Sequence, residues 1–495
     1  MTDQTAAGMP DPAVVAALPK ERGLFYDGAW HEPKGGYVET ISPGTGESLG
    51  RVAEANRDDV EAAVSAAHEG YLAWRNVKPL DRGRFLKQIA ARMRAHVDEL
   101  ALLDAANCGN PVSAMKRDVT DAADYIDYFA GLTTEVKGVV TPMGPGIVNM
   151  TVREPLGVCV RILAYNHPLM FAAMKLAAPI AAGNSVIIKP PPQAPLSCTR
   201  LFEIVGDILP PGVLNFVTGG LEAGVALTEH PLTPSISLIG SVPSGKAVAR
   251  STAEKLKHVG LELGGKNALI VYPDADLEKA ITGAVKGMNF TWCGQSCGST
   301  SRLFIHEDAY DEVLLGVLQA VKHFKPGIPT EIETTMGALI SQEQKDKVLR
   351  YIDIAENEDG ATLTYGGNVP DDPALANGFY VEPTIFTDVT PQMRIAQEEV
   401  FGPVLSVLKW RDEEALFDAV NGVTYGLTGS VFSTNLAKAH LAAERIEAGY
   451  IWVNDAGPHY VGVPFGGYKQ SGLGREEHID ELFSFTETKN IHSTL

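Results

Sequence analysis

Cys297 lies in Phe290-Thr-Trp-Cys293-Gly294-Gln295-Ser296-Cys297-Gly298, where a helical pattern gives way to glycine-rich chain. A thiol in such a loop can be exposed, and nearby N–H dipoles lower its pKa and make it nucleophilic. The alternative is a small buried structural residue. Cys293 reads as structural, with a disulfide to Cys297 open to it under oxidation. Glu262 sits between leucines in Leu261-Glu262-Leu263-Gly264-Gly265-Lys266, at the end of an apolar run. Desolvation there raises a carboxyl pKa towards the range of a general base. The competing role is an ion pair with Lys266. Asn166, in Ala164-Tyr165-Asn166-His167-Pro168, can donate its amide to a developing oxyanion. It can equally be a turn residue before His-Pro.

A second chemistry is phosphate binding. Gly240-Ser241-Val-Pro-Ser244-Gly245-Lys246-Ala247 follows an apolar run and opens an amphipathic helix. Free N–H groups at a helix start cradle phosphate. Ala247 stands where a triphosphate loop needs a hydroxyl for magnesium. That disfavours a nucleotide triphosphatase and favours a dinucleotide pyrophosphate, with a ligand-free turn as the alternative. Gly44-Thr-Gly46 with Gly50 has fingerprint-like glycines, but the spacing and flanks are wrong, so it reads as a turn. Lys189 ends the buried run Ser185–Lys189 before three prolines. Ligands of open α/β sheets bind beyond strand carboxyl ends, where a lysine can reach ribose or phosphate. A solvated strand-end lysine is the other reading.

The elements that position these groups follow from periodicity. Helices are expected over Asp58–Trp74, Asp81–Leu103 and Arg117–Tyr128. Thr133–Pro155 reads as a hairpin around Pro-Gly. Strands at 157–163, 185–189, 213–218 and 235–239 then alternate with helices at 171–182, 198–209, 221–229 and 244–257, which implies a mostly parallel, doubly covered sheet. A second block has strands at 268–271, 302–305, 404–410 and 450–454. Leu482–Ile491 reads as a terminal strand, which with the hairpin is a natural interface element.

Composition bounds the function. The 495 residues suggest about two to four domains. A net charge of −20 argues against nucleic acid and against anionic membrane surfaces. No apolar run is long enough for a transmembrane helix, and the first 20 residues lack a signal-peptide pattern. Five scattered cysteines make no disulfide framework, and no paired Cys/His cluster marks a metal. A cytoplasmic protein is expected.

Together these segments resemble the aldehyde dehydrogenase superfamily along nearly the whole chain. The likeness begins at Leu24–Trp30 and Ser42–Glu47 and runs through Leu261–Lys266 and the Cys297 segment. It ends with Glu399-Val-Phe401-Gly402-Pro403 and Pro464-Phe465-Gly466-Gly467-Tyr468-Lys469-Gln470-Ser471-Gly472. The resemblance implies an α/β fold with a Rossmann-type cofactor domain (1–130 and 151–261), an α/β catalytic domain (262–480) and a small β oligomerisation element (131–150 and 481–495). It implies a homodimer or homotetramer.

On this resemblance Cys297 is the nucleophile, Asn166 with the Cys297 N–H holds the oxyanion, and Glu262 activates water. Lys189 binds the adenosine ribose, while Gly240, Ser241 and Gly245 border the pyrophosphate. Glu399 holds the nicotinamide ribose and Phe401 packs beside it. The implied reaction oxidises an aldehyde to the acid with NAD or NADP, through a thiohemiacetal and a thioester. Competing readings are a non-catalytic NAD(P)-binding relative and a CoA-acylating enzyme, which would not need Glu262.

Three departures stand out. Pro192 replaces the glutamate of NAD-using members, which removes a barrier to a 2′-phosphate and leaves NAD versus NADP open. Tyr165 replaces the usual Trp, and Trp292 replaces an Asn. The pocket is expected from His167, Met170, Phe171, Met174, Thr291, Ser296, Gly298, Phe465 and the loop Asp455–Val463, with no arginine and few charges. A neutral apolar or aromatic aldehyde fits such walls better than a semialdehyde carboxylate or a quaternary ammonium.

Overall fold

A computed structural model describes residues 11–495. Its first sheet has eight strands, in the order Ala29–His31, Leu24–Tyr26, Leu214–Phe216, Ser185–Lys189, Val158–Ile162, Ser235–Ile239, His258–Glu262 and Gly472–Leu473. The five from Leu214–Phe216 to His258–Glu262 are parallel. From Val158–Ile162 the chain adds strands first on one side and then on the other. The strand order therefore reverses between Val158–Ile162 and Ser235–Ile239, where open α/β sheets form their ligand crevice. Asn166 and Ser241 follow the two strands at this reversal, and Lys189 ends the strand next to Val158–Ile162.

The second sheet has seven strands: Thr362–Tyr365, Thr384–Thr387, Val404–Trp410, Arg302–His306, Ala268–Val271, Thr428–Phe432 and Tyr450–Val453. Only the Thr362–Tyr365 edge is antiparallel. Three of these strands, Thr362–Tyr365, Thr384–Thr387 and Thr428–Phe432, are absent from the expectation. In Thr428–Phe432 the reason is visible: its inner positions include Gly429 and Ser430 rather than a β-branched run, and Ile446 and Ile451 pack where a larger side chain would stand.

Several boundaries move. The long helix expected over Asp81–Leu103 is two, Pro79–Ala95 and Val97–Cys108, because His96 leaves helical geometry. The helix expected over Arg117–Tyr128 extends to Val112–Gly131. The helix after Ser241 opens at Val242, with the Ser241 side chain as its cap, rather than at Ser244. The terminal strand is also corrected. Ile479–Ser484 is a short helix capped by His478, and only Thr486–Thr494 is a strand. It pairs antiparallel along all of Ile147–Pro155, whose other edge carries Val140–Pro142. The Gly44–Gly46 segment is a turn closing a two-stranded hairpin, as expected.

Candidate active site

The helix Pro168–Ala182 begins with proline, whose missing N–H costs nothing at a helix start. Every residue of it but Met170 is buried, and one of the buried residues is Lys175. The preceding turn is fixed from outside: the Asn110 amide donates to the Asn166 carbonyl at 2.7 Å. The cysteine loop is tied in the same way. Asn267 Nδ2 donates to the carbonyls of Cys297 and Ser299 at 2.7 and 2.9 Å. Gln295 accepts from the Ile340 N–H at 3.1 Å. Asn289 and Cys293 take left-handed backbone conformations that turn the chain back. Ser471 donates to the Gly264 carbonyl at 2.7 Å, so the Pro464–Gly472 motif clamps the segment after Glu262.

These segments enclose a cavity of about 320 Å³ lined by Cys297, Asn166, Glu262, His167, Met170, Phe171, Met174, Ser296, Gly298 and Phe465. Thr291 is not among the lining residues; its neighbour Trp292 takes that place. From the loop Asp455–Val463 the cavity receives Gly457, Pro458, His459 and Val461, whereas Asp455 pairs with Lys286 at 3.1 Å. The expectation of few charges and no arginine is overturned. Arg117, Asp118, Asp121, Lys175, Glu476 and Glu477 also line the cavity. Arg117, Asp118 and Asp121 come from the helix Val112–Gly131, Lys175 from the helix Pro168–Ala182, and Glu476 and Glu477 from the segment between Gly472 and the terminal helix.

The carboxylates divide by partner. Glu476 makes ion pairs to Arg161 at 2.9 Å and Lys175 at 2.8 Å. Burial raises its pKa, but the two cations outweigh that and hold it low. Lys175 is the mirror case: burial lowers it, and Glu476, Glu481 and Glu477 lift it to about 12. Glu262 has no hydrogen-bond partner at either oxygen, although it is buried. Burial, then the charge of Glu476, pushes its pKa well above the ordinary carboxylate value. No ion pair to Lys266 forms; Lys266 is buried beside Arg302 and pulled down to about 7. For Cys297 the direction is opposite to expectation. Burial and the charges of Glu262, Glu399 and Glu477 raise the thiol, and the Gly298 N–H only partly offsets them. Cys293 is buried, and its thiol donates to the Gly337 carbonyl at 2.9 Å.

On the other side of the cysteine loop lies a cleft bordered by Gly265, Ser296, Glu399 and Phe401. Glu399 accepts from the Gly265 N–H at 2.9 Å, and Phe401 meets the Tyr165 ring edge-on at 5.8 Å. A Cβ on Gly264 would overlap the Glu399 carboxylate. Lys189 is buried, not solvated. Burial lowers it to about 8, and its nearest carbonyl, Pro190, is 3.5 Å away. The Gly240 N–H is already bonded to the Glu262 carbonyl at 2.9 Å, so that N–H is not free for a phosphate. At Gly245 a Cβ would stand 2.6 Å from Leu263, so the helix start packs tightly on the sheet. Lys189 ends one strand of the first sheet and the capped helix start follows another, at the carboxyl ends where open α/β sheets take their ligands.

The aldehyde dehydrogenase family model matches residues 30–491. The chain belongs to the aldehyde dehydrogenase family. An aldehyde dehydrogenase, tropH, of Talaromyces stipitatus is 50% identical over 98% of this chain and 95% of its own. A betaine aldehyde dehydrogenase of Brucella anthropi is 40% identical over 94% of this chain and 96% of its own. An NAD+ complex of an aldehyde dehydrogenase from Bacillus cereus superposes with a TM-score of 0.94 at 36% identity, covering 99% of this chain and 100% of that one. The protein is thus an NAD(P)-dependent aldehyde dehydrogenase, oxidising an aldehyde to an acid, with the family's Rossmann-type, catalytic and small β parts. Among the described residues no helix is long and apolar enough to cross a membrane, and no cluster of three metal-ligating side chains occurs.

Sequence reasoning missed Asp118, Lys175 and Glu476. A signal existed for Lys175, the one charge in the otherwise apolar stretch Pro168–Ala182. None existed for Asp118, which reads as an ordinary helix residue until the fold sets it 2.7 Å from His167.

Proposed function

We propose that this enzyme hydrolyses its acyl intermediate with water and that Cys297, Asn166 and Glu262 perform the chemistry. The reading rests on one observation above all. Glu262 is a buried carboxylate without a partner, in the same cavity as Cys297, and its charge is the largest carboxylate influence on that thiol. A buried unpaired carboxyl is costly unless it exchanges protons. Loss of the Cys297 proton is coupled to Glu262: with Glu262 neutral, the thiolate is easier to form.

The thiolate adds to the aldehyde carbon, and the Asn166 amide with the Cys297 N–H holds the resulting oxyanion. NAD(P)+, held by Lys189, Ser241 and Glu399, would supply the hydride acceptor as the Cys297 adduct becomes the thioester. The product thioester is attacked by water as Glu262 takes the proton, and the acid leaves with the thiolate restored. Lys175 and Glu476 keep a compensated charge pair behind Glu262, so its proton affinity is set by burial and not by a fixed counter-ion. CoA acylation requires no base of this kind, and a non-catalytic relative requires none of the three residues.

The same reading gives 1–130 and 151–261 to cofactor binding, 262–480 to catalysis, and 131–150 with 481–495 to assembly of a dimer or tetramer. Val139, Val140 and Met143 are exposed along that hairpin, which supports an interface there. The decisive assay supplies an aldehyde panel with NAD+ or NADP+ and no CoA. Reduced cofactor and free acid are expected, and Cys297→Ala should lower turnover by at least about 10³-fold. Parent-like activity in that variant would remove the mechanism.

A further inference from the structure

The cavity beyond Cys297 is not the bland apolar pocket that its methionines advertise. His167 is part-buried, and its Nδ1 is 2.7 Å from Asp118, itself buried. The ring is held between Phe171 at 5.5 Å and Trp292 at 5.7 Å. Burial lowers the imidazole pKa, but the Asp118 charge and hydrogen bond outweigh that and raise it. A carboxylate can only accept, so Nδ1 carries its proton towards Asp118; Nε2, with no hydrogen-bond partner among the described residues, accepts while the ring is neutral and donates once it is protonated. A donor stands beside it. The Trp292 indole N–H is buried without a partner, in a residue that lines the same cavity. A donor left this way is costly unless something supplied from outside the chain accepts from it.

We infer that the substrate is a planar aromatic or conjugated aldehyde carrying a hydroxyl or oxo group away from the aldehyde, placed between the Trp292 indole N–H and His167 Nε2. The inference rests on the proposed function, since it concerns the aldehyde that Cys297 attacks. Flat aromatic walls at Phe171, Trp292 and Phe465 favour a ring over a flexible chain. Charge selects against one alternative. Asp118 is matched by His167, leaving no net charge on that pair. Arg117 is the one arginine of the cavity, but it is exposed, and Asp118 and Asp121 line the same wall. A distal carboxylate would meet those acids. A quaternary ammonium is the competing cargo, since it would find aromatic faces and the acids Asp118 and Asp121, and a preference for betaine aldehyde over the hydroxylated benzaldehyde would overturn the inference.

The test uses the purified full-length enzyme with NAD(P)+. The probes are benzaldehyde, its hydroxylated analogues, succinic semialdehyde and betaine aldehyde. The parent should show a kcat/KM about tenfold or more higher for a hydroxylated benzaldehyde than for benzaldehyde, because a site with unpaired polar groups rejects the analogue lacking their partner. His167→Phe should collapse that ratio towards unity, mainly through KM of the hydroxylated probe. His167→Gln, whose amide still donates, should restore part of it. Asp118→Asn keeps the shape and loosens the ring, and should also lower the ratio. Equal kcat/KM for the two benzaldehydes in the parent would overturn the inference. So would a ratio that survives His167→Phe, or a preference for the semialdehyde that is lost in Arg117→Ala. Each leaves the hydrolytic mechanism standing, whereas that mechanism fails only if Cys297 is dispensable or no aldehyde yields reduced cofactor.

Discussion

The two sides of the Cys297 loop are built from different materials. On the cofactor side, backbone sets the shape: Gly264 lets Glu399 approach, Gly245 lets the helix start rest on Leu263, and a serine caps that helix. On the aldehyde side, side chains set it, drawn from the helix Val112–Gly131, the helix Pro168–Ala182, the cysteine loop and the segment 452–477. A backbone-shaped site demands glycine at fixed spacing, because any Cβ would collide. A side-chain cavity demands only that distant residues converge, and many residue types satisfy that. The first should lose ligand affinity on a single added methyl, and the second should retune its substrate preference.

Of the changes that test this contrast, the largest effect is expected at Glu262, the buried carboxylate of the cavity with no hydrogen-bond partner at either oxygen. Glu262→Gln should leave the first turnover intact, as a burst of reduced cofactor, and slow the steady state by about 10²-fold. The sign of the pH dependence follows from the raised pKa values. Glu262 accepts a proton only as the carboxylate, so deacylation in the parent should climb as pH rises through its elevated pKa. In Glu262→Gln that climb should vanish from the steady state, while thiolate formation at Cys297, also raised, keeps its own rise in the burst. Pre-steady-state traces across pH check this. Equal steady-state rates in parent and variant would remove Glu262 as base.

A smaller effect is expected on the cofactor side. Gly264→Ala places a methyl against the Glu399 carboxylate, which must swing away from its bond to the Gly265 N–H. The carboxylate is the far end of a flexible side chain, so the fold should survive with its unfolding midpoint nearly unchanged. The loss should appear as about a tenfold higher KM for NAD(P)+, with aldehyde KM little altered. Calorimetric titration with the cofactor tests it; unchanged cofactor affinity would mean that Glu399 does not need its present place.

The same contrast explains what could be read in advance. The alternation of strands and helices after Gly157, a helix opening within Gly240–Ala247 and the juxtaposition of Glu262 with a glycine pair follow from local periodicity and glycine placement. Strands such as Thr428–Phe432 escape because small residues under Ile446 and Ile451 replace the apolar run. The break at His96 escapes because the apolar stripe continues across it. Asp118, Lys175 and Glu476 acquire their roles only from tertiary neighbours. The Cys297 thiol was expected to be lowered by N–H dipoles, which are local, and is raised by carboxylates, which are not.

The smallest effect, and the finest test of the backbone-shaped side, lies at Pro192. It follows the buried strand Ser185–Lys189 and the two prolines after it, and it is exposed. Lys189 is already depressed to about 8 by burial, so a fraction of it is neutral above that pH and its pull on phosphate weakens. Glu54 is the carboxylate that acts on Lys189, and it is bound to the Gly220 N–H at 2.8 Å. A second carboxylate from Pro192→Glu should accept from ribose hydroxyls and repel a 2′-phosphate. At a partly solvated site that repulsion is worth about 1 kcal/mol, or about fivefold in the NAD+ to NADP+ ratio of kcat/KM. Because the field between exposed charges is screened, the shift should shrink as salt is added, whereas loss of a ribose hydrogen bond would not. An unchanged ratio at low salt would show that position 192 does not govern the choice of cofactor.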